Sequence, residues 1–274
     1  LPLGERVVEA GQKVKTGLKS MVMPGMWFEE LGLSYLGPVN GHSIPDMVSA
    51  LKAARAMGGP VLLHAETVKG KGFEKAEVKS GQIKWHAASP SDFVENDKPR
   101  DEVVIEEAPK KKPPKYQDVF ADALIELAEE DERIIAITAA MPGGTSVDKF
   151  IERFPKRGFD VGMVEEHAVT FASGLALNGL RPVVAIYSTF LQRSYDEIMH
   201  DVAQVAGGLP VTFALDRGGL VGEDGATHQG VFDLSYLRSI PHMVIMAPKD
   251  EGELRHMMKT CLTHDGPAAV RYPR

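Results

Sequence analysis

The sequence has little cysteine, with one thiol, Cys261, among its 274 residues. A single cysteine excludes an internal disulfide framework and a zinc site built from several thiolates, so we interpret Cys261 as a small core residue. No apolar run approaches the roughly 20 residues that a membrane-spanning helix needs. The N-terminus also lacks the basic-then-apolar pattern of a secretory signal, and we therefore expect a cytoplasmic protein.

Positively charged residues are also in the minority. The sequence has 31 Lys and Arg residues and 38 Asp and Glu residues, which gives a formal net charge of −7. An acidic chain suits neither nucleic acid nor an anionic membrane surface, so we expect neither as a partner. The length allows one large domain or two of modest size.

The stretch of residues 98–115 combines four prolines with runs of like charge. Such a composition buries too little apolar surface to fold, and it predicts a linker between residues 1–97 and residues 116–274. In the first part we predict a helix over 44–57 and a strand over 60–67, preceded by a further strand-like piece. One strand–helix–strand unit cannot form a core alone, so this part is interpreted as the tail of an α/β domain.

The second part alternates strand-like and helical patterns. Strands are predicted at 134–138, 159–163, 183–187, 211–215, 243–247 and 268–271, and helices at 116–130, 166–180, 193–205 and 251–262. This alternation predicts an α/β fold in which helices cover both faces of a parallel sheet. Ligands of such sheets collect at the carboxyl ends of the strands.

Glu165 stands between one of these strands and the helix that follows it. An ionisable group in that position is a candidate for chemistry. The alternative is an acid at a helix N-terminus, favoured there by the helix dipole.

Other strand ends carry polar or glycine-rich segments, at 140–146, 187–193, 216–230 and 271–274. Taken singly, an arginine is usually a surface charge and a glycine-rich loop is usually a turn. Because the carboxyl ends of parallel strands meet at one edge, these segments together indicate one site.

Three of these runs are distinctive: IYSTFLQRSYDEIMHDVA (186–203), GGLVGEDGATHQGVFDLSYLR (218–238) and AAVRYPR (268–274). They resemble the pyrimidine-binding domain of thiamine-diphosphate enzymes of the transketolase type, in particular the 1-deoxy-D-xylulose-5-phosphate synthases. The runs EELGLSYLGPVNGHS (29–43) and TVKGKGFEKAE (67–77) resemble the end of the diphosphate-binding domain of those enzymes. The resemblance implies a thiamine-diphosphate-binding, transketolase-like fold over 116–274, preceded by an incomplete diphosphate-binding domain over 1–97.

The same resemblance implies thiamine diphosphate as cofactor and gives roles to matching residues. Glu165 would hydrogen-bond the aminopyrimidine ring nitrogen and promote the imino tautomer, whose exocyclic nitrogen removes the thiazolium proton. Phe190 would stack on the pyrimidine, and Arg193 would hydrogen-bond beside it. Lys69 would reach the diphosphate, and Met141 would line the cofactor site.

Tyr187, Arg217 and Arg274 match the residues that hold the phosphate of glyceraldehyde 3-phosphate in this family. Arginine suits a phosphate because its planar fork of donors binds two oxygens at once.

Three further residues match polar groups of the family's active site, namely Asp224, His228 and His86. Histidine is a plausible proton shuttle at neutral pH. His42 is interpreted as a loop-stabilising residue and not as part of the site.

The implied reaction is decarboxylation of pyruvate and carboligation to D-glyceraldehyde 3-phosphate, which gives 1-deoxy-D-xylulose 5-phosphate and CO2. It would be the first step of the non-mevalonate isoprenoid pathway and would also feed thiamine and pyridoxal biosynthesis. The resemblance further implies a homodimer.

Two small departures are Ala139, where the family commonly has proline, and Glu166, where it commonly has glutamine. A larger one is that these residues lack the family's Gly-Asp-Gly stretch, which binds Mg²⁺ and the diphosphate. We therefore expect no metal ligands in this segment and no activity from it alone. Two alternatives stay open: another transketolase-like enzyme, such as transketolase or a 2-oxoacid dehydrogenase component, and a non-catalytic fragment or subunit.

Overall fold

The computed structural model describes residues 25–77 and 113–274, which belong to two compact units divided between residues 105 and 106. The predicted linker lies outside the described residues except for positions 113–115, so the predicted domain limits stay predictions. In the two described stretches, no helix has both the length and the apolar character that a membrane span requires.

Residues 25–77, the described part of the first unit, form a strand–helix–strand crossover flanked by two short helices. Its elements are α1 (Met26–Glu30), β1 (Ser34–Asn40), α2 (Ile44–Met57), β2 (Val61–Glu66) and α3 (Glu74–Glu77). β1 and β2 pair in parallel, and α2 covers the residues predicted for it. The helix starts there because the Ser43 hydroxyl accepts a hydrogen bond from the Asp46 amide and Pro45 occupies the first turn. His42 Nε2 accepts a hydrogen bond from the Val68 amide at 2.7 Å, so it ties together the loops that follow β1 and β2.

The second unit is a six-stranded parallel sheet with the strand order β4-β3-β5-β6-β8-β7. The strands are β3 (Ile134–Thr138), β4 (Gly158–Asp160), β5 (Arg181–Tyr187), β6 (Thr212–Asp216), β7 (Val244–Met246) and β8 (Ala268–Arg271). The helices are α4 (Tyr116–Glu130), α5 (Val147–Arg153), α6 (Glu165–Leu177), α7 (Ser188–Leu191), α8 (Tyr195–Glu197), α9 (Asp233–Leu237) and α10 (Glu251–Thr263).

Apolar residues cover both faces of this sheet, because successive strand residues point to opposite sides. Ile135 and Ile137 pack in one core layer with α6 and with residues 198–209. Ile134 and Ala136 pack in the other layer with α4, α5 and α10. The predicted α/β class, with helices on both faces of a parallel sheet, is confirmed. Cys261 lies in the second layer, and burial raises the pKa of its thiol to about 12, as suits a core residue.

Several predicted strand ends differ from the structure by one or two residues. Three predicted elements differ more, in their extent or in their type of helix. The strand predicted at 159–163 is shorter, because Asp160 Oδ1 accepts hydrogen bonds from the amides of Ala140 and Gly162 and turns the chain away. Met163 is accordingly 81% exposed instead of buried in the sheet.

The helix predicted at 166–180 begins one residue earlier and ends at Leu177, since Gly179 takes a left-handed φ of 84°. The helix predicted at 193–205 is a series of short pieces instead. α7 and α8 are joined by the 3₁₀ turn Gln192–Ser194, and the π-helical segment Ile198–Gln204 follows. The wider π turn keeps Ile198, Val202 and Ala203 in the core.

Candidate active site at the carboxyl ends of the strands

The sheet changes direction between β3 and β5. After β3 the chain adds β4 at the edge of the sheet. It then returns through α6 to form β5 on the opposite side of β3, and β6 follows next to β5. A crevice forms at such a switch point, and the loops at the carboxyl ends of the strands line it. Gly144 lies on the loop that follows β3, Tyr187 is the last residue of β5, and Arg217 directly follows β6.

Glu165 is the first residue of α6 and is only 3% exposed. Arg193 Nη1 donates to its two carboxylate oxygens at 3.3 and 3.5 Å. The arginine side chain is 56% exposed, so it reaches the buried acid from the solvent side. Because both hydrogen bonds are long, the carboxylate keeps strong acceptor capacity for a further donor.

Phe190 presents a half-buried ring beside this pair. Its centroid lies 5.9 Å from that of Tyr187 in a stacked arrangement and 5.3 Å from the His228 ring, edge-on. The Arg193 guanidinium carbon lies 5.7 Å from the Phe190 centroid. These contacts link the predicted cofactor residues to the predicted substrate residues through one aromatic cluster.

Arg217 is buried, with 6% of its surface exposed, and it contacts several segments of the site. Its backbone takes a left-handed φ of 59°, which is unusual for a residue other than glycine. Its Nη1 donates to Asp216 Oδ2 at 2.7 Å, to the Gly144 carbonyl at 2.6 Å and to Gln117 Oε1 at 3.1 Å. Its guanidinium carbon lies 4.1 Å from the centre of the Tyr187 ring. Within the described residues, Nη2 donates no hydrogen bond.

Asp216 ends β6 and is fully buried. Burial raises the pKa of its carboxyl to about 6, although the adjacent Arg217 guanidinium opposes the rise. Its other oxygen, Oδ1, accepts a hydrogen bond from the Arg217 amide at 2.6 Å. The carboxylate therefore holds both the backbone and the side chain of Arg217.

Gln117 was missed by sequence reasoning. It lies in the first turn of α4, donates to the Gly143 carbonyl and Ser146 Oγ at 3.3 and 3.2 Å, and accepts from Arg217. Its partner is 100 positions away, so no local sequence signal marks it.

Asp224 lies between two arginines. Its Oδ2 is 3.3 Å from Arg217 Nε and 3.6 Å from Arg274 Nε. His228 follows in the same loop, and its Nδ1 hydrogen-bonds the Thr227 hydroxyl at 2.9 Å, which leaves Nε2 on the other side of the ring. The structure thus brings Glu165, Arg193, Phe190, Tyr187, Arg217, Asp224, His228 and Arg274 into one connected group.

The other three predicted site residues are Met141, Lys69 and His86. Met141 packs against the core layer of α6, and its carbonyl accepts hydrogen bonds from Thr145. Lys69 is exposed in the loop after β2 of the first unit, and His86 lies outside the described residues. Within residues 25–77 and 113–274, no group of three or more His, Cys, Asp or Glu side chains is arranged to hold a metal ion.

Comparison with known families gives two matches. Residues 112–274 match the family described as the pyrimidine-binding domain of transketolase, and residues 2–67 match a family described as 1-deoxy-D-xylulose-5-phosphate synthase. A solved split-gene transketolase, described as an inactive beta4 tetramer, is similar at a TM-score of 0.51 and 27% identity, over 58% of this chain and 51% of that one. The predicted transketolase-like fold is confirmed.

Curated relatives named 1-deoxy-D-xylulose-5-phosphate synthase are similar along the whole chain. The protein from Pelotomaculum thermopropionicum is 54% identical over 100% of this chain and 41% of its own length. The protein from Gloeobacter violaceus is 55% identical over 96% of this chain and 40% of its own length. The predicted resemblance is confirmed, and the chain spans about two fifths of the length of these relatives.

Proposed function

The chain belongs to the transketolase pyrimidine-binding-domain family, and from that premise we propose that it serves the synthesis of 1-deoxy-D-xylulose 5-phosphate. The reaction would decarboxylate pyruvate and join the remaining two carbons to D-glyceraldehyde 3-phosphate, with release of CO2. The observation that carries the proposal is the unbroken series of contacts from the buried Glu165 to Arg274, with the aromatic ring of Phe190 between the two ends.

The residues fit the pyrimidine half of thiamine diphosphate. A buried carboxylate with only two long hydrogen bonds can bind a ring nitrogen, and the Phe190 ring offers an apolar surface of matching shape. When bound, the cofactor supplies the electron sink that decarboxylation of a 2-oxoacid needs. The chain supplies orientation and electrostatics.

Glu165 would hold the proton that it shares with the pyrimidine ring, in a site from which α6 and the neighbouring core exclude water. His228 would exchange a proton through Nε2, since Nδ1 is engaged with Thr227. Arg274 and Arg217 Nη2 would bind the acceptor's phosphate, and Asp224 would offset part of their positive charge before the phosphate binds.

We extend the proposal to several features of the whole protein. Residues 1–97 and 116–274 would be parts of a diphosphate-binding and a pyrimidine-binding domain, joined by residues 98–115. Mg²⁺ ligands would lie outside this segment, so the 274 residues alone would be inactive. The active protein would be a cytoplasmic homodimer, and its product would feed isoprenoid, thiamine and pyridoxal biosynthesis.

The test is release of CO2 from pyruvate by the complete protein with thiamine diphosphate and Mg²⁺. We expect the release to require glyceraldehyde 3-phosphate and to match the sugar phosphate formed. Ketol transfer between sugar phosphates without pyruvate would instead indicate a transketolase. Absence of both activities would indicate a non-catalytic protein.

A further inference from the structure

The carboxylate of Asp233 lies where three segments around the site meet, and it is not among the residues proposed to bind cofactor or substrate. Asp233 is the first residue of α9 and is 1% exposed. Its Oδ2 accepts hydrogen bonds from Arg271 Nε at 2.8 Å and from Ser188 Oγ at 3.0 Å. A buried carboxylate is costly unless it is paired in this way, and charge-assisted hydrogen bonds of this kind are among the strong ones.

Each partner of this carboxylate leads to a segment of the site. Ser188 directly follows Tyr187 and begins α7, the short helix that carries Phe190. Arg271 ends β8, and its Nη2 donates to the Gly230 carbonyl at 3.3 Å. The Asp233–Arg271 ion pair therefore connects the end of β8 with the start of α7 and with the end of the glycine-rich loop.

That loop, residues 219–230, carries the aspartate and histidine of the site, and we call it the site loop. Gly219 and Gly230 close its base by exchanging backbone hydrogen bonds of 2.7 and 2.8 Å. A Cβ on Gly230 would overlap the Arg217 carbonyl oxygen and would lie 2.7 Å from the Ser188 side chain. The base of the loop thus packs directly on the segments that Asp233 connects.

We propose that Asp233 is a positioning residue that, through Arg271 and Ser188, fixes the base of the site loop and so places Asp224 and His228. The effect of Asp233 on catalysis rests on the proposed function, whereas its effect on the loop depends only on the hydrogen bonds between Gly219 and Gly230.

Amide hydrogen exchange of the complete protein tests the loop. In Asp233→Asn, we expect the amides of Gly219 and Gly230 to exchange about tenfold faster or more, while the β5–β6 amides change much less. Ser188→Ala removes one bond to the same oxygen and should give a smaller change in the same direction. Glu129→Gln is the control, since it alters an exposed ion pair with Arg153 and should change neither set.

Kinetics tests the consequence for the site. We expect Asp233→Asn to lower kcat/KM for the aldehyde about tenfold while the cofactor's dissociation constant stays within about threefold. The Asp233–Arg271 pair has no described contact with Glu165 or Arg193, and it is connected to Phe190 only through Ser188 and the backbone of α7. The proposal would be overturned if the amides of the site loop and those of β5 and β6 exchanged faster by the same factor. It would also be overturned if cofactor and aldehyde binding weakened equally, because either result would mean that Asp233 only stabilises the fold. Unchanged loop exchange in both Asp233→Asn and Ser188→Ala would overturn it too, whether or not the wild-type protein makes the proposed product.

Discussion

Asp216 and Arg217 are consecutive residues whose side chains pair with each other inside the protein. Asp216 Oδ2 lies 2.7 Å from Arg217 Nη1, and Asp216 Oδ1 accepts from the Arg217 amide at 2.6 Å. Neighbours in a strand normally point to opposite faces. Here the left-handed φ of 59° at Arg217 turns the chain as β6 ends, so the arginine folds back over its neighbour.

This pair predicts an unusual dependence of stability on pH. Burial raises the pKa of Asp216 from 3.8 to about 6, so between these values the folded chain holds a proton that the unfolded chain has lost. The free energy of unfolding should therefore fall as pH rises through this window and level off above about pH 6. At about 1.4 kcal/mol per pH unit, the loss is at most about 3 kcal/mol.

Denaturant titrations at several pH values, on the natural chain and on Asp216→Asn, would check this. The asparagine does not titrate, so the difference between the two chains isolates the carboxyl. Parallel pH profiles would contradict the expectation.

Glu165 should be essential where its neighbour Glu166 is not. Glu165→Gln keeps the shape of the buried side chain but removes its proton affinity, and turnover by the complete protein should fall at least about 100-fold. Glu166→Gln is a matched control because Glu166 is the next residue of α6 and is exposed. Comparable loss in both variants would indicate that acidity at the start of the helix matters, and not the buried carboxylate.

A side chain at Gly144 should destabilise the protein, because a Cβ there would overlap the Tyr187 hydroxyl. Gly144→Ala should lower the free energy of unfolding by about 1–3 kcal/mol, as overpacking does. At Gly143 a Cβ would meet only Asp148, at 3.8 Å, so Gly143→Ala should stay within about 0.5 kcal/mol. Chemical denaturation of both variants measures the difference, and equal midpoints would refute the close packing.

Substitutions of the two arginines beside Asp224 should have different effects, one on stability and the other on substrate binding. Arg217→Lys breaks a buried fork with three acceptors on Nη1, and we expect it to cost about 2 kcal/mol of unfolding free energy. Arg274→Lys alters a side chain that is 38% exposed, so stability should change by less than about 0.5 kcal/mol. In the complete protein its effect should be a higher KM for the phosphorylated aldehyde. An Arg217→Lys variant as stable as the natural chain would show that the hydrogen bonds of Arg217 do not stabilise the fold.

Much of the site was predictable because strand ends are visible in a sequence. The apolar run before Asp216 and the glycine-rich run after it mark a strand leading into a loop, and parallel strands deliver such loops to one edge. Gln117 and Asp233 were given no role, because their partners lie 100 and 38 positions away along the chain. The amino-acid sequence alone does not distinguish a buried carboxylate from one on the surface.

The sequence by itself determined the alternation of strands and helices, the family resemblance and the types of residue at the strand ends. Periodicity and side-chain chemistry are local properties, so they can be recognised before the chain folds. Only the tertiary structure decided which distant residues surround Arg217, namely Gln117, Gly144, Tyr187 and Asp224. It also decided that Glu165 is buried beneath Arg193 and that Asp233 connects the site loop to β8. Burial and ion pairing depend on which distant segments meet, and the order of strands in the sheet sets that.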